Sequence, residues 1–342
     1  ISRGLVGSEM CIRDSQYFIP RQMEISKNMI GSEVTSWYKK NGRKDLPWRI
    51  KTTPYRVWIS EMMLQQTQVN TAKDYFLNFI EQYPDLESIK NASEEEILIL
   101  WKGLGYYRRA KFIYQAKEKI FKDYNGLFPD EFEDIISLPG IGKSTAGAIL
   151  SIAYGKPFPI LDANVKRVVG RLYNQESYQE KKFWELSKKI LDKSNPFLFQ
   201  QGIMDIGATI CHIHNPQCDE CPLGRWCLSK KNGSFYTYKK KKTPKKKVFL
   251  NYEIYKRDGC IYMIKNMDLG FWNELWMPPY KIVENNNREI KHGLSHRELH
   301  LEFLVTSGTP KGGKWINKNE FNNLPTPKPI SDKLEQYAKS FL

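Results

Sequence analysis

The chain has 342 residues, enough for two domains with separate cores. Its 41% hydrophobic and 13% aromatic content argues against disorder, and it has no run of about 18 apolar residues to form a transmembrane helix. The net charge of +15 favours a polyanionic partner, above all nucleic acid; leaving out the seven lysines between Lys239 and Lys247 still leaves +8.

The first fifteen residues, ISRGLVGSEMCIRDS, lack the basic, apolar and small-residue regions of a signal peptide. GLVGSEMCIRDS resembles a translated sequencing-adapter peptide. Residues 1–22 are therefore set apart as non-native or disordered, Cys11 with them, and Met23 or Met29 is the expected start. From Glu33 to Ser229 the pattern is helical. Val69, Ala72, Phe76 and Phe79 recur at helix spacing. Ser93 followed by Glu96 forms a capping box ahead of Ile97, Leu98 and Trp101, and Asn125-Gly126 gives a stop. Glu131 to Ser137 reads as a short helix, Leu138-Pro139-Gly140-Ile141-Gly142 as a tight turn, and Ser144 to Tyr154 as the next helix. No strand is evident, so the region reads as all-α.

Four cysteines follow, Cys211, Cys218, Cys221 and Cys227, in the spacing C-x6-C-x2-C-x5-C. Thiolates this close can wrap one metal centre, and soft sulfur selects an iron–sulfur cluster, zinc or copper(I). His212 and His214 inside the loop compete as zinc ligands. The clustering suits a metal site in a reducing, cytoplasmic compartment better than a disulfide framework. Lys239 to Lys247 reads as a linker. Beyond it, Val248 to Lys256 and Cys260 to Lys265 are strand-like and flank an Asp258-Gly259 hairpin turn, so a smaller α+β domain is expected.

Taken alone, the turn at 138–142 exposes backbone N–H groups at a helix N-terminus, an anion site suited to a DNA phosphate; an ordinary helical corner explains it equally well. Gly142-Lys143-Ser144-Thr145 is not a P-loop, because Ser137 stands where that motif needs glycine and no strand precedes it. Glu61 alone reads as a solvated carboxylate near a helix start. Asp162 alone reads as an N-cap for a helix through Val165 to Leu172.

Several long segments together are more specific: LPWR (46–49), PYRVWISEMMLQQTQV (54–69), LWKGLGYYRRA (100–110), LPGIGKSTAGAIL (138–150), ILDANVKRV (160–168) and FQQGIMDIGATIC (199–211), then the four cysteines. In this order they resemble the helix-hairpin-helix superfamily of DNA glycosylases and, within it, the MutY family of adenine glycosylases. The resemblance covers roughly Glu33 to Leu342. It implies a mainly α fold: a helix-hairpin-helix core with a 4Fe–4S loop over residues 23–232, a lysine-rich linker over 233–247, and a Nudix-like domain over 248–342. The expected partner is double-stranded DNA with A:8-oxoguanine or A:G mispairs, bound by a monomer.

The resemblance also implies roles for residues. N-glycosidic cleavage needs a proton on the leaving base and an anion beside the cationic sugar. Glu61 is assigned the first task, protonating adenine at N7, and Asp162 the second, with Asn164 in support. The apolar neighbours of Glu61 (Trp58, Ile59, Met62, Met63, Leu64) should raise its pKa. Ser144 stands where strand-cleaving relatives carry a Schiff-base lysine, so a monofunctional enzyme is expected. Gln66 and Tyr106 match positions that wedge into the base stack. Leu138, Gly140, Gly142 and Lys143 match the DNA-backbone turn, and Trp48, Arg49 and Gln201 the adenine pocket. The four cysteines are assigned a structural 4Fe–4S cluster that shapes a DNA-facing loop, with Arg225 nearby for phosphate. GFWNELWMP (270–278), Ser295-His296 and TPKPISDKL (326–334) resemble the lesion-reading domain, although Leu294 replaces the usual phenylalanine. No Nudix catalytic box is present. The rivals are an endonuclease III-like bifunctional enzyme, opposed by Ser144 and the second domain, and a non-catalytic iron–sulfur DNA-binding protein, opposed by the carboxylate pair.

Overall fold

The described residues between Pro20 and Tyr238 contain helices and no strand, as the periodicity requires. The structure is a computed structural model that describes residues 20–238, 244–287 and 289–339. The helices are α1 (Pro20–Asn41), α2 (Pro47–Ile50), α3 (Pro54–Leu64), α4 (Val69–Gln82), α5 (Glu94–Leu100), α6 (Arg108–Asp123), α7 (Phe132–Ile136), α8 (Lys143–Ala148), α9 (Ala163–Leu172), α10 (Glu180–Ile190), α11 (Pro196–Thr209) and α12 (Leu228–Asn232). Proline begins α2, α3 and α11, where its missing N–H costs no helix bond and its φ is already helical. The Ser93 capping box forms at α5, and α6 stops before Asn125 and Gly126, both with positive φ. No helix among the described residues is long and apolar enough to cross a membrane.

The helix expected over Ser144 to Tyr154 is α-helical only as far as Ala148 and then widens into a π turn, Ile149–Ala153. The Ser151 hydroxyl lies 2.5 Å from the Gly147 carbonyl and 2.7 Å from that of Phe158. It competes for the carbonyl that an α-helical N–H would use, and the Tyr154 N–H bonds five residues back, to Ile149.

By contacts the chain divides into two units. The first holds the described residues within Ile1–Glu61, Pro129–Ser137 and Ile141–Lys239. Its spine is α11, which buries Phe199, Ile203 and Ile206 against Ile30 and Val34 of α1 and Val165, Val168 and Val169 of α9. Two glycines permit this. A Cβ at Gly202 would sit 2.9 Å from Val34, and one at Gly207 would sit 2.6 Å from the Asn164 Cβ. The approach of α9 to α11 brings Asp162 and Asn164, at the start of α9, beside the spine.

The second unit holds the described residues within Met62–Phe128, Leu138–Gly140 and Lys240–Leu342. Helices α4 to α6 bury Phe76, Phe79, Ile97, Trp101, Ile113 and Ile120. The C-terminal part adds β1 (Lys246–Ile254), β2 (Lys256–Arg257), β3 (Cys260–Lys265), β4 (Trp276–Met277), β5 (Tyr280–Val283), β6 (Ile290–Gly293), β7 (Arg297–Val305), β8 (Gly313–Ile316), α13 (Lys318–Asn322) and α14 (Lys328–Lys339). One sheet has the order β5-β1-β7-β6, with β1 and β7 parallel; the other is β2-β3-β4, with β8 on β3. Asp258 and Gly259 make the expected two-residue turn, both with positive φ, as a type I′ hairpin demands. Val248 to Lys256 is not one strand. At Tyr255 the chain changes sheets: the Ile254 carbonyl bonds Thr306 in the first sheet, the Tyr255 carbonyl bonds Tyr262 in the second. The lysine run is also partly ordered, since Lys246 and Lys247 already pair with β7; residues 239–243 lie outside the described residues.

Sheets and helices of this second unit meet through polar contacts. Lys111 of α6 pairs with Glu94 at 3.4 Å and Glu274 at 3.1 Å. The Trp276 indole donates to Glu95 at 3.2 Å, and the Tyr107 hydroxyl donates to the Thr326 carbonyl at 3.2 Å.

Candidate active site

Asp162 takes the N-cap of α9. Its Oδ1 accepts the Val165 N–H at 2.7 Å, and Asn164 adds backbone and side-chain hydrogen bonds. Burial pushes its pKa up, while these bonds and the Arg167 charge oppose the rise. Arg167 also bonds Asn164 Oδ1 at 3.0 Å and the Gly207 carbonyl, fixing the first turn of α9 on α11. Capping and a role in chemistry are thus compatible for Asp162.

Glu61 lies on α3, directly after Trp58, Ile59 and Ser60, all buried. It keeps some exposed surface, yet protein surrounds its carboxyl. Burial first, then the negative charge of Asp162, push its pKa up to about 8, against a downward pull from Arg49. The two carboxyls therefore share one electrostatic site, and together they favour one proton. Glu61 has no stabilising N–H bonds like those on Asp162, so the proton belongs on Glu61.

Arg49 is held by Asp205 of α11 through bonds of 2.7 Å and 3.0 Å. Arg43 binds the same carboxylate from its backbone N–H and its guanidinium. Burial would raise the Asp205 pKa, but the two guanidiniums outweigh it and hold it below the usual range. The Arg49 Nε is buried with no hydrogen-bond partner among the described residues. Trp48, buried, precedes Arg49 in α2, and Gln201, also buried, lies on α11 one turn before Asp205. Sequence reasoning missed Asp205. A lone charge within FQQGIMDIGATIC, whose other residues are all uncharged, was the available signal, because such a charge must find a buried partner.

The Ser144 Oγ accepts the Leu161 N–H at 3.2 Å, pinning the segment that leads into Asp162. Lys143 is exposed, with its ammonium 4.4 Å from the Trp184 ring centre. In the hairpin turn Leu138 is buried, Gly140 has φ 78°, and Gly142 is the extended N-cap of α8. In the second unit, Gln66 and Tyr106 are both exposed and both have positive φ, 57° and 50°. Such backbone is unusual for non-glycine residues.

Cys211, Cys218, Cys221 and Cys227 line one cavity together with Val168, Arg171 and Leu223. Neither His212 nor His214 lines it. Among the described residues no three His, Cys, Asp or Glu side chains converge tightly enough for a single ion. Four cysteines with no histidine in the lining make an all-sulfur donor set, a kind that an iron–sulfur cluster or zinc can take. Burial pushes the Cys221 thiol up to about 12, and its three neighbours oppose a fourth thiolate, so the set requires a cationic core when all four ionise. Arg171 braces the site, 3.4 Å from the Cys211 sulfur and bonded to the His212 and Ile213 carbonyls. Arg225 stacks on Trp226 at 3.7 Å and pairs with Glu33 at 3.4 Å.

Ser295 and His296 are exposed between β6 and β7. The turn is closed by Leu294 N–H to the Arg297 carbonyl at 2.8 Å and Lys246 N–H to the His296 carbonyl at 3.1 Å. Leu294 packs against the core of this part, so it is turned inward.

Residues 59–193 match the family described as HhH-GPD superfamily base excision DNA repair protein. The adenine DNA glycosylase of Buchnera aphidicola subsp. Acyrthosiphon pisum (strain APS) is 38% identical over 349 residues, covering 92% of this chain and 99% of that protein. The Homo sapiens adenine DNA glycosylase is 36% identical over 211 residues, covering 58% of this chain and 38% of that protein. Among solved structures, a thermostable thymine-DNA glycosylase superposes with a TM-score of 0.56 at 29% identity, covering 61% of this chain and 98% of that one. An endonuclease III–DNA complex gives 0.52 at 21% identity over 61% of this chain and 97% of that one, a likeness of fold. A helix-hairpin-helix core and near-complete coverage of full-length relatives together place the chain in the adenine DNA glycosylase family, as a DNA glycosylase of base excision repair.

Proposed function

We propose that this enzyme removes adenine mispaired with 8-oxoguanine or guanine from duplex DNA and leaves the backbone intact. The observation that carries the reading is the unequal carboxyl pair: Glu61, with a pKa pushed up to about 8, beside Asp162, whose charge is supported by N-cap hydrogen bonds. Glu61 gives its proton to adenine N7 as the N9–C1′ bond breaks and the bonding pair leaves with the base. Asp162 stabilises the resulting oxocarbenium charge. Water then adds to C1′, and its surplus proton returns to Glu61. Asn164 and Ser144 hold Asp162 and the segment before it. Ser144 has no amine, so no Schiff base with the sugar forms there and the product is an intact abasic strand.

The remaining roles follow the same reading. Trp48, Arg49 and Gln201 receive the everted adenine; Gln66 and Tyr106 enter the stack it leaves. Leu138, Gly140, Gly142 and Lys143 meet the DNA backbone. Ser295 and His296 read the 8-oxoguanine in a Nudix-like C-terminal domain. The four cysteines hold a 4Fe–4S cluster, which when bound supplies a cross-link for residues 211–227 and no electrons for base removal.

One assay decides the reaction. Holoprotein is incubated with an A:8-oxoguanine duplex and then treated with alkali. Strand scission only after alkali is expected. No scission after alkali would overturn the reading, and scission without alkali would transfer it to a bifunctional enzyme. Broad absorbance near 400 nm is expected from the cluster, and a colourless zinc protein would contradict it.

A further inference from the structure

Gln66 and Tyr106 sit on different loops, one after α3 and one before α6, yet one side chain touches both loops. Arg109 is buried, with 5% of its surface exposed. Its Nη1 donates to the carbonyls of Met62 (2.9 Å), Met63 (2.7 Å) and Gln65 (2.8 Å), at the end of α3 and immediately before Gln66. Its Nη2 donates to Gly105 (2.8 Å) and its Nε to Tyr106 itself (3.4 Å). The guanidinium also lies 5.2 Å from the Trp101 ring and 5.5 Å from the Tyr106 ring. Every hydrogen-bond acceptor is a main-chain carbonyl, and among the described residues no carboxylate pairs with it. A buried cation held only by neutral groups costs stability unless it orders something, and what it orders here is the backbone on either side of two left-handed, solvent-facing residues.

We propose that Arg109 is a positioning residue that locks Gln66 and Tyr106 into one rigid wedge before DNA arrives. The inference rests on the proposed insertion of these two residues into the base stack. A non-glycine residue with positive φ leaves that conformation unless its neighbours hold it. The fork of Arg109 spans both loops at once, which fixes the separation of the two inserting side chains as well as their individual directions. Lysine at this position keeps the charge and has three donors on one atom, too few and too close together to reach five carbonyls on two loops. The far side of the Tyr106 loop has its own supports. Tyr75 donates to the Lys102 carbonyl at 3.0 Å, and the Tyr107 hydroxyl accepts the Gly103 N–H at 3.1 Å. Without Arg109 the loop remains attached but loses its link to the end of α3.

The test uses the full-length holoprotein, with Arg109→Lys, Tyr106→Ala and the double variant, on a duplex with 2-aminopurine as the target base opposite 8-oxoguanine. Fluorescence reports unstacking, anisotropy reports duplex affinity, and single-turnover release from A:8-oxoguanine reports chemistry. Arg109→Lys should lower the everted signal and the single-turnover rate about ten-fold, with duplex affinity changed less than three-fold. The double variant should lose less than the product of the two single defects, because both substitutions act on the same Gln66–Tyr106 wedge. Multiplying defects, or a normal everted signal in Arg109→Lys, would overturn the proposal. If Arg109→Lys melts at a lower temperature, the non-additivity of the double variant still decides the matter. Wild-type protein that releases no adenine would refute the proposed function instead, so the two failures are distinguishable.

Discussion

At the scale of single residues, the chemistry depends on which carboxyl keeps a proton. On the proposed mechanism protonated Glu61 is the active form, so single-turnover excision should fall as pH rises through about 8. Glu61→Gln should slow release by 100-fold or more while duplex affinity holds, in line with a lost general acid. The stability effect has the same origin. In the unfolded chain Glu61 ionises above its ordinary pKa, whereas in the folded chain it binds a proton until about 8. The folding stability that this proton supplies is complete at low pH and is lost as pH rises between those values. Glu61→Gln should therefore melt increasingly above wild type from pH 5 to pH 8, a trend that differential scanning calorimetry can follow; a constant gap would contradict the raised pKa. Asp205→Asn tests the neighbour. Without its counter-ion, Arg49 pulls harder on Glu61, so the alkaline limb of the rate profile should shift to lower pH, and breaking the buried pair should cost about 3–5 kcal/mol in denaturant titrations. The raised pKa of Glu61 was legible from its apolar neighbours, whereas the roles proposed for Glu61 and Asp162 come from the family resemblance. Asp205 was not legible, since nothing local says which buried carboxylate will find an arginine some 156 positions away.

At the scale of elements, most helix boundaries were legible because they are written in local chemistry: Ser93 with Glu96, Asn125-Gly126, and Asp162 before Val165. The errors came where distant groups intervened. The π turn after Ala148 arises because Ser151 reaches Phe158, a contact that periodicity does not contain. The strand break at Tyr255 arises because two sheets compete for consecutive carbonyls. Close approach of helices was likewise invisible from pattern alone. Gly207 looks like a weak helix former, yet its missing Cβ admits Asn164. Gly207→Ala should cost about 1–3 kcal/mol through overpacking and, by displacing the start of α9, reduce excision more than duplex binding. Unchanged melting and kinetics would show that α9 yields without moving Asp162.

At the scale of the whole molecule, the sequence suggested a helical domain and an α+β domain divided at the lysine run, and both textures are present. It could not reveal that helices α4 to α6 group with the C-terminal sheets, because the side chains responsible, Lys111, Glu95 and Tyr107, are unremarkable on a helical surface. Removal of residues 244–342 should therefore harm more than the lesion reading proposed for them. It removes one partner each from the Tyr107 hydroxyl (Thr326) and Lys111 (Glu274), and the truncated protein should both melt earlier and lose discrimination between A:8-oxoguanine and A:G in single-turnover assays. Selectivity lost without any change in melting would mean that the helices stand unaided.

The polypeptide enters the second unit at Met62, leaves it after Phe128, returns for Leu138–Gly140 and joins it again with the C-terminal sheets. Such threading makes a break in the backbone different from a separation of parts. A nick in the lysine run cuts one strand of a woven object, and the contacts of Tyr107, Lys111 and Glu95 bridge the two sides of that cut. Two separately translated halves are thus expected to associate through these contacts when mixed, and fragments that fail to co-elute would show the contacts too weak to hold a severed chain together.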